Sequence, residues 1–230
     1  MFRAIVISCI FSFVVMRLEV FGAGKEMSSA LDASSILRDA RLNALSQSAV
    51  LDGVIRQGTE KIPFQIFLQD SEIRFHFNSP PETYTLRLGE DSSELLYSTG
   101  TSEGRPANLN SGIRGTPLTA IDLSLSYLYW PNPRYLGQEN VRSRPAHLIE
   151  LNPPNQKSPY GVVRVWIDQQ SGALLRMEGY DWDVNLVKRF EIISAQKIQG
   201  QWFLKNMRVE AFAPGSKTPI HRAYLEVERK

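Results

Sequence analysis

Residues 160–193 read YGVVRVWIDQQSGALLRMEGYDWDVNLVKRFEII. Val163, Val165 and Ile167 alternate with Arg164 and Trp166, and Leu175 and Met177 alternate with Arg176 and Glu178. The chain then leaves through Leu186 and Phe190. Successive side chains of a strand point to opposite faces, so this period of two marks β structure with one apolar and one charged face. Gln169-Gln170-Ser171-Gly172 and Asp181-Trp182-Asp183 supply the turns between the runs. The stretch predicts three consecutive antiparallel strands. It carries no nucleophile, metal-ligand spacing or phosphate cradle, so it reads as a wall that covers something.

The same period extends outward. Residues 50–56 form a first strand. Ile62, Phe64, Ile66 and Leu68, then Ile73, Phe75 and Phe77, then Tyr84, Leu86 and Leu88 alternate with polar residues, and 95–97 adds a short strand. Asn78-Ser79-Pro80-Pro81 is a turn. One-sided alternation belongs to antiparallel strands with one buried face. Residues 100–115 are rich in Gly, Ser, Asn and Arg and read as a long loop. Leu118, Ile121, Leu125 and Leu128 then fall on one helical stripe that Pro131 closes. Strands follow at 135–141, 146–151, 201–212 and 219–228. At the other end, residues 28–48 have helical spacing, with Leu31, Ile36, Leu37, Ala40, Ala44 and Leu45 on one face and Ser34 or Ser35 as the N-cap. Turn spacing suggests about ten or eleven strands. A sheet that large and one-sided must curl, and its apolar face needs a cover.

The chain has 230 residues, 43% hydrophobic and 22% charged, with a net charge of +2. That composition supports a globular core and gives no basis for nucleic-acid binding, because the basic residues are scattered. Arg3, the thirteen-residue run 4–16 and the small residues Gly22-Ala23-Gly24 form a secretory signal pattern, so residues 1–24 are assigned to a signal peptide. Cleavage after Gly22 or Gly24 fits better than after Ala23, which would leave Phe21 three positions back. Arg17 and Glu19 interrupt the pattern, and an uncleaved anchor is the alternative. The run is short for a transmembrane helix, which takes about 20 residues. Cys9 is the only cysteine and lies inside this segment. The mature chain would then have no disulfide, zinc-thiolate site or cysteine nucleophile. A lipid-attachment reading of Cys9 leaves too short a hydrophobic region before it.

His76, His147 and His221 fall in three separate predicted strands without metal-ligand spacing, so no metal site is expected. Asp181 and Asp183 are read as turn formers rather than as a catalytic pair. No nucleophile elbow, P-loop or dinucleotide fingerprint is present, and neither an enzyme nor a cofactor is expected.

Ile113-Arg114-Gly115-Thr116-Pro117-Leu118, Ile121-Asp122-Leu123 and Tyr129-Trp130 resemble motifs of LolA-like outer-membrane lipoprotein-sorting proteins. Trp166-Ile167-Asp168, the series Arg176, Glu178, Tyr180, Asp181, and the following Lys188 resemble the same family. These motifs are specific only in combination. Trp182-Asp183-Val184-Asn185 departs from the pattern, where a glycine would be common. The resemblance implies a mainly β (α+β) fold: a curved, unclosed antiparallel half-barrel over residues 25–230, with helices across its open side. It implies a periplasmic, monomeric carrier that shelters lipoprotein or other lipid acyl chains, passing them from an inner-membrane donor to an outer-membrane acceptor. An envelope sensor or scaffold that binds a protein partner is the alternative within the family.

On that fold, Phe64, Phe75, Phe77, Leu86, Val163, Val165, Ile167, Leu175 and Met177 are candidates to line the cavity. The face that each presents in the later strands depends on the absence of a bulge. Leu125, Tyr129 and Trp130 are candidates for a lid or partner contact. The plain alternative is that the lining residues pack against the helices as an ordinary core.

Overall fold

The computed structural model describes residues 32–45, 48–69, 71–198 and 201–229. The signal peptide expected at 1–24 lies outside the described residues. Helix α1 (Ala33–Leu45) precedes strands β1 (Ala49–Gln57), β2 (Glu60–Gln69), β3 (Glu72–Asn78), β4 (Pro81–Leu88), β5 (Ser93–Thr99) and β6 (Arg105–Pro106). Helix α2 (Ala120–Ser124) and a 3-10 turn (Ser126–Tyr129) lead into β7 (Arg134–Val141), β8 (Arg144–Leu151) and β9 (Val162–Asp168). The chain ends with β10 (Leu174–Tyr180), β11 (Leu186–Ile198), β12 (Gln201–Phe212) and β13 (Pro219–Arg229).

Among the described residues all thirteen strands form one sheet, in the order β6-β5-β4-β3-β2-β1-β13-β12-β11-β10-β9-β8-β7. Every neighbouring pair is antiparallel. The sheet is thus two meanders joined where β1 meets β13, with Gly53 opposite Val227 and Ile55 opposite Leu225. Thirteen strands correct the expectation of ten or eleven. Part of the difference is β6, whose two residues pair with Leu96 and Tyr97 inside what reads as loop. Two residues show no periodicity, and its proline is tolerated because β6 is an edge strand.

The helical segments also differ from expectation. Asp32, not Ser34 or Ser35, caps α1: its carboxylate accepts the Ser34 N–H at 3.0 Å, and the Ser35 hydroxyl donates to its carbonyl at 2.8 Å. The stripe at 118–129 does not make one helix. Leu125 has φ 50, and this left-handed residue breaks the segment into α2 and the 3-10 turn.

Period two sorts the sheet into faces. Leu51, Ile55, Phe64, Leu86, Val165 and Val227, drawn from both meanders, share one apolar cluster. The opposite face of the second meander buries carboxylates beneath arginines. Glu150 is held by Arg134 and Arg164, and Glu191 by Arg142, Arg176 and Arg208. Glu178 pairs with Arg189, and Glu210 with Arg189, Arg208 and Arg222. Each carboxylate has at least one partner on an adjacent strand, so these pairs stitch the strands together while the guanidinium groups keep contact with water.

Asp168, at the end of β9, has a fully buried side chain. It accepts two bonds of 2.6 Å from Arg144 and bonds of 2.7 Å from the Ser171 N–H and hydroxyl. Burial pushes its carboxyl up, but the Arg144 and Ser171 bonds together outweigh it and hold the pKa at about 2, below the ordinary 3.8. A carboxyl lowered by folding contributes stability in full above its unfolded value, and that contribution is lost as pH falls toward the folded value. Thermal denaturation should show an acid-side loss of stability between pH 3.8 and about 2. Asp168→Asn should flatten that dependence and cost about 2 kcal/mol at neutral pH.

Candidate functional site

The inner face gathers most of the expected lining. Phe64, Phe77, Leu86, Val163, Val165, Ile167 and Met177 are buried in the central cluster, and Phe75 is half-buried against it. Leu175 lies elsewhere. The β9–β10 register slips between Leu174 and Arg176. That bulge leaves Leu174 on the central cluster and sends Leu175 into a second cluster with Val141, Ala146, Leu148 and Trp166. Trp166 alternates with the inward Val165 and Ile167, so the second cluster occupies the opposite face.

The inner face is covered by protein. Helix α1 places Ala33 and Leu37 on it, α2 adds Ala120 and Ile121, and the 3-10 turn adds Tyr127, Leu128 and the following Trp130. Leu125 and Tyr129 are half-buried against the same cluster, so all three residues expected in a lid belong to the cover, with their side chains against the core. The cover is tied down by few polar contacts. Arg41 of α1 donates to the Leu128 carbonyl at 2.7 Å, and its guanidinium lies 4.6 Å from the centre of the Tyr129 ring. The Tyr129 hydroxyl donates to the Gly89 carbonyl at 3.0 Å, and Ser93 donates to the Ser124 carbonyl at 2.7 Å. Arg114, at φ 52, bonds to the Ser79 and Pro80 carbonyls and pairs with Glu82, fixing the loop before α2 to the β3–β4 hairpin.

Beneath the cover is a buried polar junction. Asp122 accepts the Thr119 N–H at 2.8 Å and the Thr119 hydroxyl at 2.7 Å. It also accepts the Tyr160 hydroxyl at 2.6 Å and the Lys188 ammonium at 3.2 Å, and Lys188 donates as well to the Pro117 carbonyl. The Asp122 and Lys188 side chains are only 1% and 9% exposed. Burial, reinforced by the Asp122 carboxylate, pushes the Tyr160 phenol well above its usual range, which keeps it a donor. Gly179 makes room for the Tyr160 ring, and Gly161 for the close approach of the Asp181 backbone. A Cβ on Gly179 would lie 2.6 Å from the Tyr160 ring, and one on Gly161 would lie 2.9 Å from the Asp181 carbonyl. The junction thus anchors the start of α2 to β11 and to the segment before β9.

A cleft of 380 Å³ opens beside it, lined by Leu109, Asn110, Thr119, Lys157, Ser158, Pro159, Tyr160, Val187 and Lys188. A second, of 430 Å³, lies between Arg56, Gly58, Asn206, Arg222, Tyr224 and Glu226. Neither is lined by the inner-face candidates. The histidines stay apart: His76 bonds with Thr83 and Asn78, His147 with Tyr135, and His221 is exposed. Asp181 uses its carboxylate to hold the turn, accepting the Asp183 and Asn185 N–H groups at 3.0 and 2.8 Å.

Arg41 and the Asp122, Tyr160 and Lys188 cluster escaped sequence reasoning as a site. Asp122 and Lys188 stand out in the sequence only as motif positions, 66 residues apart. Arg41 reads as the polar side of a helix, and its partner lies 87 residues away.

A protein-family model described as "Uncharacterized protein"-like matches residues 75–230. No curated protein sequence matches the chain. Among solved structures, a putative outer-membrane lipoprotein-sorting protein domain from Vibrio parahaemolyticus is similar with a TM-score of 0.65 at 14% identity. A LolA superfamily protein from Nitrosomonas europaea gives 0.62 at 16%, and a DUF1329 family protein from Desulfovibrio piger gives 0.59 at 16%. Each alignment covers 86% of this chain and 92% of the other. The fold is therefore that of LolA-type proteins.

Removing one member of a buried ion pair leaves the other charge uncompensated. Lys188→Met should lower stability by about 3–5 kcal/mol in urea denaturation. Tyr160→Phe, which removes one hydrogen bond to a charged group, should cost about 1.5–3 kcal/mol.

Proposed function

We propose that this chain, which belongs to the family described as "Uncharacterized protein"-like, is an exported, non-enzymatic carrier that shelters the acyl chains of a lipoprotein or another lipid. The observation that carries this reading is the relation between the inner face and its cover. The sheet presents an apolar face across both meanders, and among the described residues what lies over it is one helix, a five-residue helix and a 3-10 turn. These pieces add no strand to the sheet, so they can leave its inner face without breaking a ladder of backbone hydrogen bonds. An acyl chain taking their place would gain roughly 0.8 kcal/mol per buried methylene. It would have to offset the exposure of Leu37, Ile121, Leu128 and Trp130, so affinity is a difference between two burials. The likeness to structures described as lipoprotein-sorting proteins supports the same reading at the level of fold.

Arg41 sets part of that difference, because its bond to Leu128 and its place over Tyr129 join the two halves of the cover. A hydrogen bond to a charged group contributes about 1.5–3 kcal/mol. Losing it should favour the uncovered state and raise affinity for a long-chain acyl ligand about tenfold or more. Titration with a fluorescent fatty acid should therefore show binding by the wild-type chain and tighter binding by Arg41→Ala. If neither protein binds the probe, and no lipid accompanies the protein from membranes in native mass spectrometry, the carrier reading fails.

A further inference from the structure

The turn between β10 and β11 is the one place where this chain departs from the motif pattern it otherwise resembles, and its geometry is unusual. Val184 has φ 62, a left-handed conformation that β-branched residues rarely adopt. The turn is nevertheless well defined. The Asp181 carboxylate accepts the Asp183 and Asn185 N–H groups and the Asn185 amide, and the Val184 N–H donates to the Asp181 carbonyl at 3.1 Å. Glycine or asparagine would suit this position without strain. What the valine adds is an apolar side chain directed to solvent: Val184 is 64% exposed and Trp182 is 48% exposed. Strain held in place by surrounding bonds is a pointer to function.

The surroundings indicate what this tip meets. The Trp182 indole N–H donates to the Ser158 carbonyl at 3.1 Å, which orients the ring beside the cleft that Leu109 and Lys157 also line. Leu109 is itself 37% exposed, and Lys157 is exposed. These apolar groups offer on the order of 300 Å² of surface, against about 800 Å² per partner in a stable protein interface. A small protruding tip of that size suits a bilayer, which yields around it and needs no matching footprint. Tryptophan favours the head-group level of a membrane, where its amphipathic ring is at home, and a neighbouring lysine can reach lipid phosphates. Asp183 beside it makes apolar insertion, rather than charge, the larger part of the attraction.

We propose that Trp182 and Val184, with Leu109 and Lys157 of the cleft that Ser158 also lines, form a contact tip for the head-group layer of a phospholipid bilayer. This goes beyond acyl binding inside the sheet and does not require it. The test is co-sedimentation of the full chain with vesicles of phosphatidylethanolamine and phosphatidylglycerol. Val184→Asn keeps the left-handed backbone at lower strain while removing the apolar group, and Trp182→Ser removes the ring. The double variant should partition into vesicles about tenfold less than wild type, in line with the apolar surface removed. The melting midpoint of Val184→Asn should be unchanged or raised, as the lower strain implies, and its fatty-acid titration unchanged. A wild-type chain that stays in the supernatant overturns the inference. So does a double variant that partitions like wild type, or a lowered midpoint in Val184→Asn. Tip-dependent vesicle binding without fatty-acid binding would leave this inference standing and remove the carrier reading instead.

Discussion

An open sheet with one apolar face cannot leave that face in water. That constraint governs the rest of the molecule. In a closed barrel the strands would cover one another, but among the described residues β6 and β7 are the edges of the sheet and the inner face is shielded by pieces that are not strands. Helix α1 and the 113–130 segment meet that need with apolar side chains. Their polar ties to the strands and hairpins of the sheet are local: Tyr129 to Gly89, Ser93 to Ser124, Arg114 to the β3–β4 hairpin, and the junction around Asp122. Hydrophobic burial is non-directional, so the same face can accept protein side chains or other apolar matter of similar volume.

The two faces of the second meander solve opposite problems. The inner face is apolar and buried, and relies mainly on area. The outer face is polar, yet its carboxylates are almost as buried as the core: the Glu210 side chain is 4% exposed and that of Glu191 is 7%. They tolerate burial because guanidinium groups pair with them, one at Glu178, two at Glu150 and three each at Glu191 and Glu210. Cation–π contacts such as Arg176 over Trp166 and Arg189 over Phe212 fill the spaces between the pairs. Rigidity on this outer side complements the thinner attachment of the cover on the inner side.

Period two made most strands legible, because a half-buried strand imprints its geometry on every second residue. Phe64, Phe77, Val163, Val165 and Met177 could be placed on one face for that reason. Leu175 could not, since a one-residue bulge reverses parity without leaving a compositional trace. The break at Leu125 was hidden as well: leucine is a good helix former, and only tertiary packing holds it at a left-handed φ. The junction of Asp122, Tyr160 and Lys188 was invisible as a unit because it is a property of the folded sheet, which brings α2, the segment before β9 and β11 to one point. Gly179 signals that convergence only after the Tyr160 ring against it is known. Trp182 and Val184 were legible as a departure from pattern, but not as an exposed tip.

The joint between the meanders has a consequence for how the protein reaches this state. β1 and β13, the first and last strands, are neighbours at the middle of the sheet. Each meander can form from local hairpins, but the apolar face becomes continuous only when β1 and β13 have met. That closure carries the loop entropy of nearly the whole domain and raises the mean sequence separation of native contacts, which slows folding. A chain lacking its last strand would retain two half-sheets with exposed edges and an unshared core. The β1–β13 pairing is therefore itself a checkpoint, and until it forms the separate halves expose apolar surface and strand edges that favour aggregation.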